Sequence, residues 1–181
     1  MKNLLVYLGA TSPANPVYED AVRELGEKMA KRGITLVFGG SRQGTMTVLA
    51  DTVLGNGGRV IGVFTRSLPQ EFLFEGLTET IITENFAERK TTMLARADAA
   101  VAMPGSFGTW DELFDALEQA KTDLIFKRTP KKIAVLNING YYDSLLKFLR
   151  HSEEEGYTTR QFANLLLCAN TVDELLDMLE G

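Results

Sequence analysis

Three short stretches combine glycine with hydroxyl side chains: Gly9-Ala10-Thr11-Ser12, Gly39-Gly40-Ser41-Arg42-Gln43-Gly44-Thr45 and Pro104-Gly105-Ser106-Phe107-Gly108-Thr109. Glycine permits positive φ and close backbone approach. A helix starting at Thr109 would present first-turn N–H groups with no internal partner to an anion. The third stretch therefore reads as a cradle for a phosphate-bearing small molecule, although glycines that merely make tight turns account for it equally well in isolation. Two such loops at neighbouring strand ends favour a ligand. Neither is the dinucleotide pattern G-x-G-x-x-G or the triphosphatase pattern G-x-x-x-x-G-K-[ST], so a nucleoside monophosphate or a sugar phosphate fits better.

Ionisable residues cluster around the same loops. Glu112 stands three residues after Thr109, the spacing of a capping box, which competes with a catalytic reading unless a phosphate occupies the same N–H groups. Glu88-Arg89-Lys90 reads first as a solvated charged face. Arg42 either reaches a phosphate or points into water. His151, the only histidine, sits in the charged run Arg150 to Glu155 and is not expected to act as a base.

The elements that must position these residues alternate along the chain. Apolar, β-branched runs predict strands at Leu4–Leu8, Thr35–Phe38, Val60–Phe64, Glu79–Ile82, Ala99–Met103, Lys132–Leu136 and Leu165–Cys168. Amphipathic stretches predict helices at Pro16–Lys31, Thr45–Leu54, Phe86–Ala97, Thr109–Lys121, Tyr141–Glu155 and Val172–Leu179. Residues 65–78 and 122–129 read as loops. The expectation is a three-layer, Rossmann-like, doubly wound parallel α/β sheet of about seven strands, with residues 1–181 forming a single nucleotide-monophosphate-binding domain. In such sheets ligands sit beyond the carboxyl ends of the strands, where all three glycine loops fall.

Composition narrows the partners. The 181 residues are 45% hydrophobic and 24% charged, with a net charge of -5, which suits a globular core and disfavours nucleic acid or anionic membrane. No segment has the roughly 20 apolar residues of a membrane helix. The apolar start Leu4 to Leu8 is too short for a signal peptide. Single Cys168 forms no internal disulfide and reads as a buried strand residue in a reducing compartment, so a cytoplasmic location is expected. No ligand cluster implies a metal or other cofactor.

Taken together, Pro104 to Glu112, the Arg89-Lys90 pair and Asn139-Gly140-Tyr141-Tyr142 resemble the Lonely Guy family, cytokinin riboside 5'-monophosphate phosphoribohydrolases often mislabelled lysine decarboxylases. The resemblance extends from Gly9 through Asn15-Pro16-Val17-Tyr18, Val60-Ile61-Gly62-Val63 and Asp98-Ala99 to Leu145-Leu146. The family pairs M-x-x-R-K with P-G-G-x-G-T-x-x-E; the first motif reads here as Ala87-Glu88-Arg89-Lys90 with its span shortened by one. The resemblance implies that Arg89 and Glu112 are the catalytic pair. It also implies that Glu71, Lys90, Gly105, Ser106, Phe107, Gly108, Thr109, Trp110, Asp111, Gly39, Gly40 and Ser41 bind substrate, and that the protein is a homodimer. Ser106 and Ser41 replace family glycines, Thr47 stands where G-L-M-G ends in glycine, and Glu118 stands for a threonine.

The expected reaction is hydrolysis of the N-glycosidic bond of a purine nucleoside 5'-monophosphate, with Glu112 stabilising positive charge on the sugar and orienting water. A nucleotide or molybdenum-cofactor carrier on the same fold is the alternative. A lysine decarboxylase would need pyridoxal phosphate on a Schiff-base lysine, and the only histidine is not followed by lysine.

Overall fold

A computed structural model describes residues 1–181. Seven strands, β1 (Asn3–Tyr7), β2 (Thr35–Phe38), β3 (Val60–Thr65), β4 (Glu79–Thr83), β5 (Ala99–Ala102), β6 (Lys132–Leu136) and β7 (Leu166–Ala169), form one sheet in the order β4-β3-β2-β1-β5-β6-β7. Every pairing is parallel. The chain winds outward from β1 to β4, then crosses back to place β5 on the other side of β1. That reversal opens a crevice beyond the ends of β1 and β5.

The central strands read as continuous apolar runs because both faces are covered. One face carries α1 (Pro16–Lys31), α2 (Gly44–Gly55) and α7 (Val172–Glu180), whose Leu25, Leu49 and Leu176 join Leu4, Leu36 and Val101 in the core. The other carries α3 (Phe86–Ala95), α4 (Phe107–Ile125) and α5 (Asp143–Glu154), which bury Met93, Leu113 and Ala116 against Leu5, Val37 and Val135. Edge strand β4 instead alternates exposed and covered residues.

Several boundaries differ from the expectations. Helix α4 starts two residues before Thr109 and runs on to Ile125, so residues 122–125 are helical. Residues 65–78 contain a one-turn 3-10 helix at Gln70–Phe72. Residues 138–140 form another turn, with Asn139 at φ 53, and this delays α5 to Asp143. A four-residue helix, α6 (Arg160–Ala163), was too short to show a period. Cys168 is only half-buried because β7 is an edge strand. No helix is long and apolar enough to cross a membrane.

Candidate functional site

Asn85 starts α3: its side chain accepts from the Glu88 N–H at 2.9 Å, and Glu88 accepts in turn from the Glu84 N–H at 2.8 Å. Glu88 is thus a capping residue. The next residue, Arg89, points to the carboxyl edge of the sheet, 8% exposed. Its Nε donates to Val63 O at 2.9 Å, Nη2 to Gly39 O at 2.9 Å and Nη1 to Glu112 Oε1 at 3.0 Å. At least three of its five N–H donors are therefore held inside the protein. Gly39 must be glycine for this, since a Cβ there would fall 1.9 Å from Nη2.

Glu112 belongs to the second turn of α4, so the capping-box explanation fails: the helix begins at Phe107, with Ser106 as N-cap. Its carboxylate pairs with Arg89 instead. Burial pushes its pKa up to about 7, and the nearby Arg89 guanidinium only partly offsets that. Beneath the pair, Tyr7 has its phenol held protonated by burial and by the carboxylates of Glu112 and Asp115.

The loop before α4 takes a form the glycine pattern did not specify. Neither Gly105 nor Gly108 has positive φ. Gly105 is required by packing, because a Cβ there would meet Thr109 Oγ1 at 2.2 Å, while a Cβ on Gly108 would meet nothing within 4 Å. The Ser106 side chain makes no capping bond. The Trp110 N–H donates to Ser106 O, and the amides of Phe107, Gly108 and Thr109 precede it in the first turn. Thr109 Oγ1 is buried without a hydrogen-bond partner.

Ser106, Gly108 and Thr109 border a cavity of about 230 Å³ together with Leu8, Gly39, Ser41, Gln43, Phe86, Arg89 and Glu112. A second hollow, of about 210 Å³, adjoins it at Gly9 and Ser106 and is bordered by Tyr18, Tyr141 and Gly105. The structure therefore gathers Arg89, Glu112, Ser106, Gly108, Thr109, Gly39 and Ser41 around one space. It does not bring the other expected binding residues to that cavity. Gly40 takes φ +67 behind it, and Glu71 is exposed on the 3-10 turn. Lys90 pairs with Asp111 and Asp115 at 3.1 and 3.0 Å, a strut between α3 and α4. Phe107 and Trp110 lie edge to face on the surface, 81% and 36% exposed. Arg42 stacks on Phe74, and Glu118 pairs with Lys121 on the outside of α4.

Some cavity residues were missed. Gln43 carries no motif signal. Phe86 does: it stands three residues before Arg89, so the M-x-x-R-K spacing is kept without shortening, with phenylalanine in the methionine's place. Behind the loop, Tyr142 donates to Met103 O at 2.7 Å and Tyr141 to Gly105 O. Asn137 accepts from the Tyr142 N–H at 2.7 Å and donates to Asp143 at 2.8 Å, fixing both tyrosines.

Comparison with known proteins identifies the family and the fold. A family described as possible lysine decarboxylase matches residues 46–179. The cytokinin riboside 5'-monophosphate phosphoribohydrolase LOG of Oryza sativa subsp. japonica is 34% identical over 180 residues, 99% of this chain and 73% of the relative. An X-ray structure of TM1055, a structural-genomics target, is 26% identical with TM-score 0.73, covering 99% of both chains. The molybdenum cofactor binding protein of Rippkaea orientalis, 19% identical with TM-score 0.72 over 99% of this chain and 96% of its own, shares the fold. With a third of its residues identical over nearly its full length, and with Arg89 and Glu112 meeting where the two motifs converge, the chain belongs to the Lonely Guy family of phosphoribohydrolases.

Proposed function

We propose that the protein hydrolyses the N-glycosidic bond of a purine nucleoside 5'-monophosphate, releasing free base and ribose 5-phosphate. The observation that carries this reading is the buried Arg89–Glu112 pair at the wall of a cavity into which an uncapped helix start opens. The α4 amides and the unpartnered Thr109 hydroxyl take the phosphate, with the positive end of the helix adding attraction. This holds the ribose beside Glu112.

Cleavage moves the bonding electron pair onto the base nitrogen and leaves positive charge on the sugar ring. The Glu112 carboxylate stabilises that charge and takes a proton from the attacking water, whose oxygen bonds to the anomeric carbon; the departing base nitrogen gains a proton from solvent and Glu112 returns its own, so that one water is consumed. Arg89 serves as a positioning residue: its bonds to Val63 O and Gly39 O fix the guanidinium, and the guanidinium fixes the carboxylate.

Replacing Glu112→Gln keeps shape and removes the charge. Base release, followed by chromatography over a panel of nucleoside monophosphates, should fall by about 10²- to 10⁴-fold, while nucleotide affinity stays within threefold. Undiminished turnover would falsify the assignment. The same scaffold serves a molybdenum cofactor binding protein, and a carrier of this kind would hold its ligand intact; base release separates the two.

The proposal extends to a homodimer. Helix α4 shows Phe107, Phe114 and Ile125 to solvent, 81%, 44% and 56% exposed, beside Trp110 on the same face. Ala120, on the opposite side of that helix, is buried in the core and is unavailable for such a contact.

A further inference from the structure

The site cavity is chemically different at its two ends. The loops after β1 and β5 contribute Gly9 and Ser106, and the first turn of α4 Gly108 and Thr109; the loops after β2 and β3 contribute Ser41, Gln43 and Leu68, with Met46 and Phe86 from the adjoining helices. From β5 to β3 is three strand spacings, about 14 Å in all, the order of the extended length of a nucleoside monophosphate. A phosphate at the start of α4 therefore directs the base toward Met46, Leu68 and Phe86.

At that end the Gln43 side chain is unengaged, as is the smaller Ser41 hydroxyl. Gln43 is the N-cap of α2, yet its carboxamide makes no capping bond. It is half-buried and borders the cavity. It occupies a position between the glycine run and the G-L-M-G segment that neither motif specifies. Phe86, the first residue of α3, borders the same space with 47% of its surface exposed. A free amide and an uncovered ring on one cavity offer an edge and a face to a planar heterocycle.

We propose that Gln43 reads the hydrogen-bonding edge of the substrate's base while Phe86 packs on its face, making Gln43 a specificity-determining residue for a 6-aminopurine. The proposal rests on the phosphate placement given above. A carboxamide donates and accepts together, which matches the amino group and adjacent ring nitrogen of adenine. A carboxylate in the same place only accepts, which matches the N1–H and 2-amino group of guanine and opposes the adenine ring nitrogen.

The test uses AMP, GMP and ribose 5-phosphate as probes, with calorimetric affinities measured in the Glu112→Gln background and base release in the otherwise intact protein. Gln43→Glu should lower the AMP-to-GMP affinity ratio by about 10- to 100-fold, the discrimination expected of one bidentate base contact. Gln43→Leu should weaken AMP at least fivefold, and both should leave ribose 5-phosphate within twofold. Ratios unchanged within twofold in both variants overturn the proposal, as does an equal loss of ribose 5-phosphate binding, which would put Gln43 at the phosphate end. A shifted affinity ratio without base release from any protein defeats the hydrolase reading alone. Base release with an unshifted ratio defeats this proposal alone, and absence of all nucleotide binding defeats both.

Discussion

Gly39 and Arg89 work as one unit. The guanidinium fills the space that a side chain at 39 would need, and Gly39 O is one of its acceptors. Gly39→Ala should expel the guanidinium and strand a buried charge and its carbonyl partners, costing roughly 3–5 kcal/mol in urea unfolding, with base release lost in parallel. A variant as stable and active as the parent would show that the pair is dispensable. Glu112 also sets a pH dependence. In the proposed reaction the carboxylate form acts, so kcat/KM should rise with pH through about 7 and then level off; a flat profile from pH 6 to 8 contradicts this. Stability runs the other way. The folded pKa lies above the usual value of 4.5, so the folded state holds the extra proton between the two, and Glu112's contribution, full below about 4.5, is lost as pH rises through about 7.

Helix α4 supplies both the first-turn amides and Glu112, so its placement decides the geometry of the site. The turn after β6 sets that placement. Tyr142, 2% exposed, bonds to Met103 O at the end of β5, and Tyr141 bonds to Gly105 O in the loop itself. Tyr141 also packs edge to face with Tyr18 of α1, ring centroids 5.9 Å apart. Tyr142→Phe keeps the ring and leaves the Met103 carbonyl unsatisfied. It should cost about 1–3 kcal/mol in denaturant unfolding and raise KM for the nucleotide, because the amides it supports lose their alignment. Unchanged KM would mean the loop holds itself. Ser106 departs from the family glycine without adopting a capping role, so its hydroxyl remains free at the junction of the two hollows.

For the whole molecule, the reversal between β1 and β5 gathers residues far apart in sequence, from Gly39 to Glu112, into one crevice. The surface beside it is unusually apolar: Phe107 and Trp110 lie one turn apart on α4, next to the loop that opens the cavity. Burying those rings between two copies would stabilise a dimer at about 25 cal/mol per Å² of apolar area removed from water. Phe114→Glu should therefore turn a dimer into a monomer in sedimentation at micromolar concentration, with thermal unfolding little changed because the position is exposed. A monomeric parent protein would end the dimer proposal.

The sequence alone carried the doubly wound sheet, since strands buried on both faces read as apolar runs and covering helices read as a 3.6-residue period. The motifs brought Arg89, Glu112 and the loop into view, because glycine pattern and charge spacing are local properties. Tertiary structure decided what those residues touch. That Arg89 is locked by Val63 O and Gly39 O follows from neighbouring parallel strands ending side by side, a relation across 26 and 50 residues that no local spacing records. The start of α4 at Phe107 takes Glu112 out of a capping role and sets Gly105 against Thr109, and the packing of α3 on α4 makes Lys90 a strut. Only the closed fold sets the burial that raises the Glu112 pKa, and only it brings Gln43 and Phe86 to a shared cavity. Desolvation and convergence are properties of the packed molecule, and the linear order of residues does not contain them.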